Sequence, residues 1–412
     1  MSDDLAGGSA VLGIELGSTR IKMCLLDGHG SILATSSHDW ENQFVDRMWT
    51  YAEESIWDGL RNAYRLLAAD VEGRFGVVPK TYRAIGVSAM MHGYLALDAS
   101  GDLLVPFRTW RNTSTGEAAA ELSALFGHNI PLRWSVAHLY QAILDKEPHV
   151  AQLASLTTLA GYVHHRLTET SVVGIGDASG IFPIDVTTGG YDQRMLGQFD
   201  ALVADRLPGF RLAEVLPEPL PAGREAGRLT SEGASLLDPS GTLQGGAMLC
   251  PPEGDAGTGM VATNSVRPRS ANVSVGTSIF AMVVLERPLN TVHHELDLVT
   301  TPAGDLVAMV HCNNGASELG AWAGVFHEFA TALGKNASAD EVFGVLLHSA
   351  LAGEADAGGL LAYNYLSGEP ITGLPEGRPA VIRTPDSRLT LANFMRAQVY
   401  SMFATLSIGM RV

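Results

Sequence analysis

At 412 residues the chain is long enough for roughly two or three domains, each with its own core. Its 46% hydrophobic and 17% charged residues are those of a folded chain, and its net charge of −17 argues against nucleic acid or an anionic membrane as the main partner. Cys24, Cys250 and Cys312 are odd in number and lack Cys-x-x-Cys spacing, so neither a disulfide framework nor a zinc site is indicated. The acidic start MSDDLAGGSA has no apolar signal core, no apolar run is long enough to span a bilayer, and the default compartment is a reducing cytoplasm.

In chain order, the first organised stretch is VLGIELGSTRIKMCLLD, Val11 to Asp27. Two apolar runs, Val11 to Leu16 and Ile21 to Leu26, flank Gly17-Ser18-Thr19 and predict a hairpin with a glycine at its tip. Glycine allows a tight turn and close approach of a ligand, and two hydroxyl residues with exposed N–H groups offer donors to an anion. Alone, the motif also fits an ordinary turn. A second copy, NVSVGTSIFAMVVL from Asn272 to Leu285 with Gly276-Thr277-Ser278 at its centre, points instead to two similar domains facing one nucleotide.

After the first hairpin, Ser31 to Ser36 reads as a further strand. Thr50 and Glu53 have capping-box spacing, and Ile56, Trp57, Leu60, Ala63, Tyr64 and Leu67 then fall on one helical face. Arg83 to Asp98 predicts a strand pair interrupted at Met90-Met91-His92-Gly93, and strand ends are where α/β folds place ligands. Pro106 to Thr115 is a polar, aromatic loop that leads into a helix from Glu117 to Phe126. Gly174 to Asp185 is rich in glycine and short polar residues, as a loop lining a cleft would be. The prolines and glycines between Asp205 and Gly246 mark the best domain boundary, giving domains of 10–243 and 244–412. Beyond it, Ala316 to Leu333 predicts a helix with Leu319, Trp322, Phe326, Phe329 and Leu333 on one side. Leu391 to Leu406 predicts another, and the abrupt end at Val412 suggests a truncated domain.

Phosphoryl transfer needs phosphates and magnesium held and a base to take the proton of the attacking hydroxyl. Asp255 in PPEGDAGTGM suits the base, because flanking glycines let the acceptor come close. The same residues fit a turn closed by an Asx hydrogen bond, but their place just ahead of the second hairpin favours the base. Glu15 lies beside the first tip, where a carboxylate would repel phosphates unless magnesium stands between them. Met91 and His92 are candidate sugar contacts, and Trp110, Arg111 and Asn112 offer a stacking face and donors to a polyol. Lys22 is expected to carry its charge in solvent. His164-His165 and His293-His294 have the wrong spacing for two ligands on one helix face.

Taken in order, GIELGSTRIK, SAMMHGYLALD, GDASGIFPID, AGRLTSEGA, EGDAGTGM, NVSVGTS and YLSGEP resemble the FGGY carbohydrate kinase family across nearly the whole chain, with Met91-His92-Gly93 most like its xylulokinase branch. The resemblance implies an α/β fold of two actin-like, ribonuclease-H-type ATPase domains with ATP and a sugar in the cleft between them. It implies Asp255 as catalytic base and Met91 and His92 as sugar contacts. Gly17, Ser18, Thr19, Gly276 and Thr277 would contact the phosphates of ATP, and Glu15 would stand at the family's Mg2+-associated aspartate. The expected function is phosphorylation of a hydroxyl of a ketopentose or related sugar or polyol. A catalytically idle sugar sensor or scaffold of the same fold, and an actin-like ATPase acting on proteins, are the rival readings. No nucleic-acid or membrane partner is expected, and a homodimer is compatible with this reading.

The chain departs from the family's pattern in Glu15 for the usual aspartate and in Arg111-Asn112 where the xylulokinase branch has Asn-Asp. It also lacks the glycine-rich adenosine-binding segment that follows the long helix. The sugar contacts are therefore expected to differ, the second domain to be incomplete, and the adenine pocket likewise.

Overall fold

Alternating burial builds the first sheet. Strand β1, Val11–Leu16, buries Leu12, Ile14 and Leu16, and β2, Arg20–Leu26, buries Ile21, Met23 and Leu25. They pair antiparallel from Val11↔Leu26 to Leu16↔Ile21, as the two apolar runs predict. β3, Ile32–Asp39, extends the sheet beside β2. A small hairpin of β4, Gln43–Val45, and β5, Met48–Thr50, precedes helix α1, Glu53–Phe75. The predicted α1 face is buried throughout, and Gly59 lets the helix approach β2 closely, since a Cβ there would stand 2.5 Å from Ile21 Cδ1. The expected capping box does not form. The N-cap is Ala52, and Thr50 belongs to β5 with its hydroxyl on the Tyr51 carbonyl, so it stands too early to reach the helix amides.

The remaining strands of this sheet run parallel to β1. β6, Ala84–Ala89, pairs β1, while β7, Met248–Leu249, and β8, Glu253–Gly254, both pair β6. The order is β7-β6-β1-β2-β3 with β8 on β6, an antiparallel meander beside a parallel half. Helix α2, Asp255–Ala262, follows β8 directly. The second sheet has the order β9-β10-β12-β11, with β9 Ala271–Val275, β10 Ile279–Val284, β11 Asp297–Thr300 and β12 Leu306–Cys312. Helices α3, Ser317–Ala332, α4, Ala339–Leu351, and α5, Leu391–Gly409, complete it.

The structure, a computed structural model, describes residue 5 and residues 7–276, 278–366, 368–374 and 377–412. Of these, residues up to Ser270, with 284–290 and 298–307, form one compact unit, and the rest form a second. The first unit includes β7 and β8, which pair β6 and bring Asp255 with them. In α3 only part of the expected face is covered. Leu319 is buried and Trp322 packs edge-on against Phe394 at 4.9 Å, whereas Phe329 and Leu333 are 62% and 64% exposed. Among the described residues no helix is long and apolar enough to cross a membrane.

Candidate active site

Parallel pairing decides what comes together. Leu16 lies opposite Ala89, and Ala89 opposite Gly254, so the hairpin tip, Met90-Met91 and Asp255 leave the first sheet at the same end of neighbouring strands. Asp255 is the first residue of α2. Its Oδ1 accepts from the backbone N–H of Met91 at 3.1 Å and of Ala256 at 2.9 Å. Some of its surface stays accessible, as a base that must meet a hydroxyl requires. Burial is the main influence on its carboxyl and raises it to about 6; the two amides oppose the shift and the charge of Glu15 adds to it. A carboxylate poised there is ionised at neutral pH yet a better proton acceptor than a free aspartate.

Glu253, two residues earlier, was not singled out in the sequence, and it ties this turn to the Gly174–Asp185 segment. Its Oε1 accepts from Gly176 N–H at 3.2 Å and its Oε2 from Asp177 N–H at 3.0 Å. A side chain at Gly174 or Gly176 would collide with it, a Cβ standing 2.2 Å and 2.6 Å from its carboxyl oxygens. The glycines of GIG therefore make room for a carboxyl rather than for a ligand. Asp177 is buried, accepts from the Thr158 hydroxyl at 2.5 Å, and leaves Oδ1 with no partner among the described residues. Burial lifts Glu253 to about 8 and Asp177 to about 7, each raised further by a neighbouring carboxylate. The segment expected to be a cleft-lining loop is instead largely buried, with a short helix at Ile175–Ala178. The paired small residues at 174 and 176 were the only sequence signal for this.

At the first tip every carbonyl is held from behind. Trp40 Nε1 donates to Gly17 O at 2.7 Å, the Tyr51 hydroxyl to Ser18 O at 2.6 Å, and Trp40 N–H to Thr19 O at 3.1 Å. Ser18 and Thr19 are exposed, with their amides and hydroxyls outside that bracing. Glu15 is half-exposed, and Lys22, opposite it on β2, places Nζ 3.4 Å from both its oxygens. Lys22 keeps its charge in solvent as expected, and it also forms an exposed cross-strand pair with Glu15. In the second unit, β9 and β10 form the expected second hairpin, with Gly276 N–H on Ser278 O and Ala316 N–H on Gly276 O. Gly315 permits that approach, since a Cβ there would lie 2.4 Å from Gly276 O. Thr277 lies outside the described residues.

Met91 and His92 are buried, 6% and 4% exposed, and His92 takes a left-handed φ of 69° while stacking on Trp134. Asn112, expected to offer donors to a polyol, has both amide hydrogens taken. Nδ2 donates to Trp49 O at 2.8 Å and Thr109 O at 3.0 Å, and Oδ1 accepts from Trp49 N–H at 2.9 Å. It clamps the 106–115 loop to β5 and has no proton left for a sugar. Asn112→Ala is accordingly expected to lower stability by about 1 kcal/mol for each bond lost, read as a fall in urea midpoint. Trp110 stands in the same loop under the Arg111 guanidinium. A cavity of about 570 Å3, lined by Gln43, Met48, Tyr51, Phe107 and Arg108 among others, touches none of Glu15, His92 and Asp255.

Comparison with known proteins gives these pieces a common origin. The family model of the FGGY carbohydrate kinases matches residues 10–238 with its N-terminal domain and residues 271–412 with its C-terminal domain. The xylulose kinase of Escherichia coli K12 is 24% identical over 295 residues, 68% of this chain, which thereby spans 56% of that enzyme's length. That of Haemophilus influenzae is 21% identical over 414 residues, 97% of this chain and 78% of its own. Among solved structures, the xylulose kinase from Rhodospirillum rubrum superposes with a TM-score of 0.75 at 20% identity, covering 96% of this chain and 77% of its own. The gluconate kinase from Lactobacillus acidophilus gives 0.76 at 18%, covering 97% and 77%. Likeness at that level establishes the fold, that of paired actin-like α/β ATPase domains. The chain belongs to the FGGY family of carbohydrate kinases.

Proposed function

We propose that the chain is an ATP-dependent carbohydrate kinase that phosphorylates a hydroxyl of a ketopentose, xylulose-like, or of a related sugar or polyol. Asp255 is the general base. As the sugar hydroxyl oxygen bonds to the γ-phosphorus of ATP, its proton passes to Asp255, and the bond to the β,γ-bridging oxygen breaks to release ADP. The observation that carries this reading is the placement of Asp255: beside the first tip and Met91, held by two amides through one oxygen, and raised by burial to about 6. Met91, His92 and Trp110 are assigned to the sugar. Asn112 supports them by fixing the loop, and Gly17, Ser18, Thr19, Gly276 and Thr277 are assigned to phosphates.

Among the described residues no group of three or more His, Cys, Asp and Glu gathers to hold a metal alone. A half-exposed carboxylate beside exposed amides does suit Mg2+ brought by ATP, which takes one or two carboxylates and completes its shell with phosphate oxygens and water. Glu15 would hold the ion, which when bound neutralises phosphate charge. Lys22 shares that carboxylate, so Glu15 need not be a bare charge before ATP arrives. Glu15→Gln is expected to raise the Mg2+ concentration for half-maximal ADP release on the order of 10-fold or more. An unchanged Mg2+ titration would remove Glu15 from that role. The kinase reading itself is tested by sugar-dependent ADP release from Mg-ATP.

A further inference from the structure

Arg111, which the sequence marks with Trp110 and Asn112 as a donor to a polyol, has surroundings unlike those of the other loop cation. Arg108 is matched by an ion pair to Glu147, whose carboxyl is held down to about 2 by its hydrogen bond to His149 and by Arg108. Arg111 has no carboxylate within ion-pair distance among the described residues, in a chain with 44 acidic against 27 basic side chains. Its guanidinium instead lies over the ring of Trp49, 5.0 Å from the centroid, and over that of Trp110 at 5.5 Å. The backbone around this cation is tied down at Trp49 and at Arg111 itself. Asn112 holds Trp49 by its N–H and its carbonyl, Thr109 N–H adds a bond to the same carbonyl at 3.1 Å, and the Arg111 N–H leans on the Thr109 hydroxyl.

The position of this cation is set by its neighbours along the loop. Tyr94 and Arg108 exchange backbone hydrogen bonds at 2.8 and 3.1 Å, placing the loop against Met91-His92-Gly93, and Met91 N–H is bound to Asp255. On the other side, burial is the largest influence on the Tyr51 phenol and raises it, while the Arg111 charge acts in the opposite sense. The Tyr51 hydroxyl donates to Ser18 O, so Arg111 stands within electrostatic reach of the first tip.

We infer that Arg111 is a specificity-determining residue that takes a carboxylate on the acceptor, so that the substrate class is a sugar acid of the aldonate kind rather than a neutral sugar. Aromatic rings over the guanidinium leave its N–H edge for recognition, and that planar fork matches the two coplanar oxygens of a carboxylate. Contact with two tryptophan rings restricts the guanidinium, and a restricted planar fork favours a planar acceptor over a tetrahedral phosphate. The inference rests on the kinase reading for the meaning of substrate, but its geometry stands apart from the base.

The test uses the full chain without ATP, following tryptophan fluorescence while gluconate and glucitol, then xylonate and xylitol, are titrated as matched pairs. Xylulose and inorganic phosphate serve as further probes. The acids are expected to bind on the order of 10–100-fold tighter than their neutral partners. In Arg111→Gln the two members of each pair then bind alike, and Arg111→Lys recovers part of the preference. Equal binding of acid and polyol by the unaltered chain would overturn the proposal. So would an Arg111→Gln variant that loses phosphate binding but keeps the acid preference, which would give the guanidinium to the transferred phosphoryl group. Acid-selective binding without ADP release would keep Arg111 and remove the kinase reading. Sugar-dependent ADP release without acid preference would do the reverse.

Discussion

Asp255→Asn is expected to cut turnover on the order of 10²–10⁴-fold while sugar binding survives. The amide keeps an Oδ1 to accept from Met91 and Ala256, so the turn between β8 and α2 retains its geometry, and only the capacity to take a proton is lost. ADP release measures the first effect and tryptophan fluorescence on sugar addition the second. The unaltered chain should also show kcat/KM rising with pH through about 6, as the raised carboxyl of Asp255 ionises, and the variant should lose that limb. Normal turnover in Asp255→Asn would place the base elsewhere.

The second large effect concerns stability. Glu253→Ala leaves the buried N–H groups of Gly176 and Asp177 without acceptors, at about 1–3 kcal/mol for each, and opens a cavity beside the turn that carries Asp255. The same carboxyls make stability depend on pH. Glu253, Asp177 and Asp255 have folded values of about 8, 7 and 6, above the roughly 4 of an unfolded carboxyl. Between those limits the folded chain binds more protons than the unfolded one, so this contribution is fully present below about pH 4 and is lost as pH rises through the folded values. Urea midpoints measured from pH 4 to 8 should fall with pH, and Glu253→Gln should flatten the upper part of that slope. A midpoint that rose throughout, unaltered by the substitution, would contradict the assignment of these shifts.

What could be read from the sequence was local. Alternation along Val11–Leu16 and Arg20–Leu26 is enough to write the hairpin, because one buried face leaves one register, and the 3.6-residue spacing of Ile56, Leu60, Ala63 and Leu67 is enough to write α1. Asp255 stood out because glycines and a following hairpin flagged it. What was missed depends on pairing between distant segments. Nothing periodic announces that Met248–Leu249 and Glu253–Gly254 join β6. The partners of Glu253 lie 76 and 77 residues away, and Asn112 reaches 63 residues to Trp49; each looks locally like a polar residue in a loop. Lys22 is exposed, as its outward position on β2 implies, and its partner Glu15 faces it in the register that the apolar runs already imply. At α3 the amphipathic pattern was real but Phe329 and Leu333 are exposed, because periodicity marks a face without saying how far it is covered.

The most direct test of the whole account is Mg2+-dependent ADP release from ATP by this chain across a panel of ketopentoses, aldoses, polyols and aldonates. The account predicts release that depends sharply on one sugar class and disappears in Asp255→Asn. Release that no sugar alters would contradict it, as an ATPase acting on something other than a carbohydrate. A flat, inactive response with sugar binding intact would contradict it equally, in favour of a sugar sensor built on a kinase fold.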